Sequence, residues 1–281
     1  MANAPTPTKP TTPKPKKESS GGSGLFATLT VPICIVVSLF IFYFIFGDAS
    51  HFQGGDNKGT PANGDVFGII YGGGKLVPLV MSYVLMLIVF SIERFIVIGK
   101  ASGTTSVDAF VKRIQVFLNS GNIDAASAEC DKQKGSVANV IKAGLKKYKE
   151  METETHLDVD QKTLAIQKDI EEATALEMPI LEQNLTIIAT LVAIGTLTGL
   201  LGTVIGMIKA FSELAGASQN SSALSAAISE ALVNTAFGIS TSALSIIMYN
   251  VFTSKIDGLT YAIDETGFSI VQTFAASHKN Q

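Results

Sequence analysis

Four stretches of this chain run for about the thickness of a bilayer with almost no charge: residues 25–46, 76–98, 187–208 and 223–252. A helix needs roughly 20 apolar residues to cross a hydrocarbon core, and within that core its backbone polar groups must be satisfied inside the segment. A soluble fold has no use for four such runs. Only 16% of the 281 residues are charged, against about 25% in an ordinary soluble domain. The sequence predicts an all-α membrane protein with four transmembrane helices and long helical extensions into water.

The segments between these runs differ in kind. Residues 1–24 hold five of the nine prolines together with Lys9, Lys14, Lys16 and Lys17. They read as a disordered basic tail, too poor in apolar surface to offset chain entropy. The 25–46 run is longer than a signal-peptide core, and Gly47-Asp48-Ala49 is a poor cleavage site, so a retained helix is expected. Residues 47–75 are rich in Gly and Asn and read as an exposed loop. Its end, Gly72-Gly73-Gly74-Lys75, fails as a phosphate-binding loop because Ile69 and Leu76 stand where Gly and Ser/Thr are needed. It reads instead as a flexible hinge. The second helix, 76–98, ends on Glu93-Arg94, where the arginine is expected to snorkel towards water.

Residues 99–180 read as a helical polar domain. Val107, Phe110, Val111, Ile114, Phe117 and Leu118 form one helical stripe behind a Ser106 N-cap. Val137, Val140, Ile141, Gly144, Leu145 and Tyr148 form a second, and residues 157–178 a third. The third membrane helix is placed at 181–213, just after Pro179, which is expected to kink or start it. A link at 214–222 leads to the fourth, at 223–253. Ile256, Leu259, Ile263, Thr266 and Ile270 then continue the helix at heptad spacing through an extension at 254–281.

Lysine and arginine set the orientation. Eleven fall in 99–180 and four in the N-terminal tail, but two in 47–75 and none in 214–222. Both termini and the polar domain are expected on the cytoplasmic side, with 47–75 and 214–222 periplasmic. The formal charge of −3 and the lack of an arginine-rich surface give no footing for nucleic acid. Cys34 and Cys130 fall in different compartments and lack zinc-ligand spacing. His156, among Glu152, Glu154 and Asp158, reads as a solvent-facing cluster. No nucleophile elbow or catalytic dyad is visible, so no enzyme activity, metal or cofactor is expected.

The third and fourth membrane helices carry the unusual pattern. Gly195, Gly199, Gly202 and Gly206 make one glycine stripe, which permits close backbone approach, and Thr186, Thr190, Thr196, Thr198 and Thr203 accompany it. On the fourth helix Ala227, Glu230 or Ala231, Asn234, Gly238, Thr241 and Ser245 make a second stripe. A charge deep in a bilayer costs about 2.5–3.5 kcal/mol on the insertion scale, which singles out Glu230. An interfacial position is the alternative, since Glu230 lies a couple of turns into the helix. The two stripes together suggest a polar seam that a single subunit leaves open.

Gly199-Leu-Leu-Gly-Thr-Val-Ile-Gly-Met-Ile-Lys-Ala-Phe211 resembles the second core helix of the ExbB/TolQ/MotA superfamily. Ile228-Ser-Glu-Ala-Leu-Val-Asn-Thr-Ala-Phe-Gly238 with Tyr249-Asn250 resembles the third, and Glu93-Arg94-Phe95 the end of the first. The likeness extends over about residues 76–275 and is closest to ExbB. It implies a three-helix core to which 25–46 is extra. It further implies a homopentamer in the cell inner membrane around a dimer of a single-spanning ExbD-like partner with a membrane Asp, and a TonB-like protein downstream. H+ is the expected ion, with no cofactor. Thr203 and Thr235 fall on the family's pore threonines and Glu230 on its pore glutamate. Asn234, counted with them as pore-lining, stands where the family has a small residue. The proline familiar after Gly238 is absent. A TolQ-like or flagellar-stator-like motor is the nearest alternative. A passive scaffold and a secondary transporter are the others, although the two halves of the chain do not repeat as many transporters do.

Overall fold

The computed structural model describes residues 21–54, 61–62, 64–215 and 221–278. The predicted tail up to residue 20, the centre of the 214–222 link and the last three residues lie outside them. The described residues are helical throughout the core and contain no strand, with one isolated bridge between Phe52 and Pro61. Four helical stretches are long and apolar enough to cross a membrane, beginning at Leu25, Val77, Val159 and Ser221.

Helix α1 (Gly21–Phe40) starts four residues before the predicted Leu25 and ends in a turn of π-helix, Ile41–Phe46. It packs along α3 (Val77–Ser102). Phe26 meets Phe90 edge-on at 6.1 Å, and the Ser38 hydroxyl donates to the Pro78 carbonyl. Between them the chain folds. Asp48 caps a short 3-10 turn, Ala49–His51, and Asp65 caps α2 (Val66–Tyr71) by accepting from the Phe67 and Gly68 amides. The His51 imidazole joins Asp65 at 2.7 Å. This hydrogen-bonded pair holds the Asp65 carboxyl below the usual carboxylate range, aided by the two amides. The described part of 47–75 is therefore a small folded cap, where glycine and asparagine content alone suggested an open loop.

On the opposite side of the apolar spans lie α4 (Val107–Asn119), α5 (Ile123–Gln133), α6 (Gly135–Thr153) and α7 (Val159–Glu182). Ser106 caps α4 through the Ala109 amide. The predicted stripes turn inward: Phe110, Ile114 and Leu118 of α4 and Val140, Ile141 and Leu145 of α6 are buried. They pack against α9 (Ser221–His278), whose Ile256, Leu259, Ile263, Thr266 and Ile270 form the buried heptad stripe. Gly144 and Gly267 let Ile170 of α7 sit between α6 and α9. Cys130 is enclosed here, and burial pushes its thiol up to about 12, so it stays protonated and inert.

Helix α8 (Leu185–Ala215) begins later than the predicted residue 181. The break from α7 falls at Asn184, whose φ of 62° is left-handed; Pro179 stays inside α7. Arg94 explains why the break holds. Its side chain is 1% exposed and does not snorkel. It donates to the Ile180 and Leu181 carbonyls at 3.3 and 3.0 Å and pairs with Glu93. Those carbonyls end α7 and have no partner further along a continuing helix, so the buried guanidinium supplies one. With 58 residues, α9 is about 87 Å long at 1.5 Å per residue. It is therefore long enough to cross a core of about 30 Å and to continue into the polar domain without interruption.

Candidate ion pathway between α8 and α9

Helices α8 and α9 form an antiparallel hairpin, and their small-residue stripes face each other. A Cβ on Gly238 would stand 2.5 Å from the Gly195 carbonyl oxygen and 2.7 Å from Gly199 Cα. Gly202 is filled by Asn234, and Gly206 by Ala231 and Ala227. All four α8 glycines are buried. The seam expected to stay open in one subunit is thus closed within one protomer. Two facing stripes on consecutive helices satisfy each other first, and the stripes by themselves give no argument for neighbouring copies.

Hydroxyls run along this contact. The Thr203 and Thr235 Oγ1 atoms lie 2.8 Å apart, and both reach the Gly199 carbonyl, at 3.2 and 3.1 Å. Each threonine is half-buried, so one edge of the pair remains reachable from outside the protomer. Farther along, Ser242 donates to the Val192 carbonyl at 2.6 Å and meets Thr196 at 2.7 Å. Ser245 is fully buried, and its hydroxyl finds no partner among the described residues. In an apolar span such groups offer a carboxylate or a water molecule hydrogen bonds that hydrocarbon cannot.

Glu230 sits at the seam's end nearest the cap. Its carboxylate is bound by Lys209 of α8 at 2.6 and 2.8 Å, with side-chain exposures of 16% and 51%. The partner lies in the same chain and compensates a charge that would be costly unpaired in a bilayer. The register that sets Gly202 opposite Asn234 and Gly206 opposite Ala231 carries Lys209 to Glu230. Asn234 differs more from expectation. It is 1% exposed, packs into the protomer, and donates to the Gly73 and Glu230 carbonyls, both at 2.8 Å. It lines the inside of the hairpin rather than an open pore. The Gly73-Gly74 segment is correspondingly a close-packed turn rather than a free hinge. Gly74 has a φ of +77°, and a Cβ there would overlap the Glu230 carboxyl. These two glycines and Lys209 are the site residues that pattern reading passed over. Among the described residues no group of His, Cys, Asp and Glu is placed to hold a metal.

Residues 132–265 match the profile of the MotA/TolQ/ExbB proton channel family. That segment is similar to members of this family. It includes α6 to α8, most of α9, and with them the Thr203–Thr235 pair, Asn234 and the Glu230–Lys209 ion pair. MotA/TolQ/ExbB proteins are described as proton channels rather than as an enzyme class. An ExbB-like biopolymer transport protein of Synechocystis sp. is 36% identical over 88 residues, which cover 30% of this chain and 42% of that relative. The Tol-Pal system protein TolQ of Pseudomonas aeruginosa is 27% identical over 190 residues, covering 66% of this chain and 81% of TolQ. The chain thus spans under half the length of the first relative and about four fifths of the second. The cap and α1 lie outside the MotA/TolQ/ExbB segment.

Proposed function

We propose that this chain is the ExbB-like subunit of a proton-driven motor in the inner membrane. Five copies surround a dimer of a single-spanning, ExbD-like partner, and a TonB-like protein receives the output. Both termini and the α4–α7 domain face the cytoplasm, and the cap faces the periplasm. The chain performs no covalent chemistry and holds no cofactor. The observation that carries this reading is the half-buried Thr203–Thr235 hydroxyl pair at 2.8 Å within an apolar hairpin. A partner carboxylate that loses its charge also loses its reason to stay beside such a pair, so protonation can reseat the partner's helix. Each charge crossing the membrane supplies about 2.3 kcal/mol per 100 mV, enough for a few protons to drive a conformational cycle. The pentamer rests on the resemblance, because the glycine stripes are filled within one protomer.

The test is what co-purifies with the full chain. Native mass spectrometry should find five copies with two of a small protein whose one membrane helix contains Asp. A stable monomer without such a protein would refute the motor reading. A TolQ-like role is the second reading, supported by the longer stretch over which TolQ matches. A Tol-Pal-type partner in the same preparation would favour it over the ExbB-like one.

A further inference from the structure

The N-terminal quarter of the described chain converges on one carboxylate. The Ile41–Phe46 turn holds α2 by aromatic contact. Phe42 stacks on Tyr71 at 4.8 Å and 20°, Phe46 stacks on Phe67 at 5.1 Å, and Phe52 meets Tyr71 edge-on at 5.5 Å. Helix α2 leads within two residues to the Gly73-Gly74 turn. There the Gly73 carbonyl accepts from Asn234 at 2.8 Å, and Gly73 lies against Val233. Gly74, with its left-handed φ of +77°, lies directly against the Glu230 carboxyl. Asn234 also ties down the Glu230 carbonyl, and Lys209 grips the carboxylate from α8. Glu230 is therefore held from three sides, by α8, by its own helix and by the cap.

We propose that α1 and the folded cap form a brace that fixes the Glu230 carboxylate at the mouth of the α8–α9 seam, with Asn234, Gly74 and Lys209 as its positioning residues. The brace gives the N-terminal helix a task in ion passage although it touches neither Thr203 nor Thr235. A positioned group loses effect steeply with displacement, because an error of about 1 Å is worth up to roughly a hundredfold in rate. Loosening the brace far from Glu230 should therefore disturb proton entry. The effect on flux rests on the proton-channel reading above, whereas the mechanical coupling does not.

Tyr71→Ala removes the stack without touching the seam, and Asn234→Ala cuts the tie at the turn. Both are made in the full chain with its co-purified partner, in proteoliposomes. Amide exchange of residues 66–75 should rise by about tenfold in each variant, with α4–α7 unchanged. Proton flux should fall by roughly tenfold, and its dependence on outer pH should change shape. Faster exchange with wild-type flux and pH profile would overturn the proposal, as would unchanged exchange. Flux loss in Asn234→Ala alone would reduce Asn234 to local packing and overturn it too. Phe42→Leu, which nearly keeps volume and removes the ring stack, replaces Tyr71→Ala if that variant does not assemble. A wild-type complex without proton flux would sink the channel reading, whereas the exchange arm judges the brace by itself.

Discussion

Gly238→Ala tests whether backbone contact between α8 and α9 holds the seam together. The added Cβ would meet the Gly195 carbonyl oxygen at 2.5 Å, Gly199 Cα at 2.7 Å and Gly199 N at 3.0 Å. All three are backbone atoms and cannot turn aside as a side-chain tip can. Ordinary contact begins at 3.4 Å, so α8 must retreat by roughly 0.7–0.9 Å at this level. The Thr203–Thr235 contact of 2.8 Å then stretches to about the limit of a hydrogen bond, and the Ser242–Val192 and Thr196–Ser242 bonds on the next turns lengthen with it. Overpacking costs about 1–3 kcal/mol, and each weakened hydroxyl bond adds up to about 1 kcal/mol. The expected destabilisation is about 2–5 kcal/mol, read from reversible unfolding in mixed detergent micelles. Gly258→Ala is the control. A Cβ there meets nothing within 4 Å, so the better helix former should stabilise by up to about 1 kcal/mol. A loss below about 0.5 kcal/mol for Gly238→Ala would refute the close-contact account.

Arg94→Met should destabilise the protein by about 3–5 kcal/mol, because it strands the Glu93 charge, the buried Leu181 carbonyl and the part-buried Ile180 carbonyl at the α7–α8 break; equilibrium unfolding checks it, and an effect under about 1 kcal/mol would mean that water caps the break instead. Glu230→Gln keeps the shape and removes the ion pair with Lys209, so it should assemble normally yet lose most proton flux in proteoliposomes, and equal fluxes would remove Glu230 from the site. The cap should loosen in acid: the Asp65 carboxyl is lowered in the folded state, so its contribution is present above the unfolded value and is lost as pH falls through the lowered one, below the ordinary carboxylate range. Amide exchange at residues 64–71, corrected for intrinsic rates, should show this transition in the wild type and lose it in Asp65→Asn, which caps the helix without a charge.

Much of the architecture was legible because its causes are local in sequence. Nearly charge-free runs of bilayer length determine four spans, 3.6-residue periodicity determines which faces of α4, α6 and α9 are buried, and Ser106 marks the start of α4 through the amide it can cap. The resemblance pointed to Thr203, Thr235 and Glu230, and the glycine stripe showed where backbones could approach. The chain's partners in space were not legible, since they depend on which surfaces meet. Glycines 195, 199, 202 and 206 say that something comes close; the hairpin decided that it is Gly238, Asn234 and Ala231 of the same protomer. Arg94 reads as an interfacial cation until α7 ends beside it and offers two carbonyls without partners. Gly73 and Gly74 read as a hinge because glycine permits motion and close packing alike. Only the fold, by setting Val233 and Glu230 against them, selected close packing. In the same way Asn234 passed from a pore-lining polar residue to an internal tie, because its amide donates to two carbonyls at 2.8 Å; the Glu230 carbonyl is its own helix's i−4 neighbour, but the Gly73 carbonyl cannot be read from the sequence around residue 234.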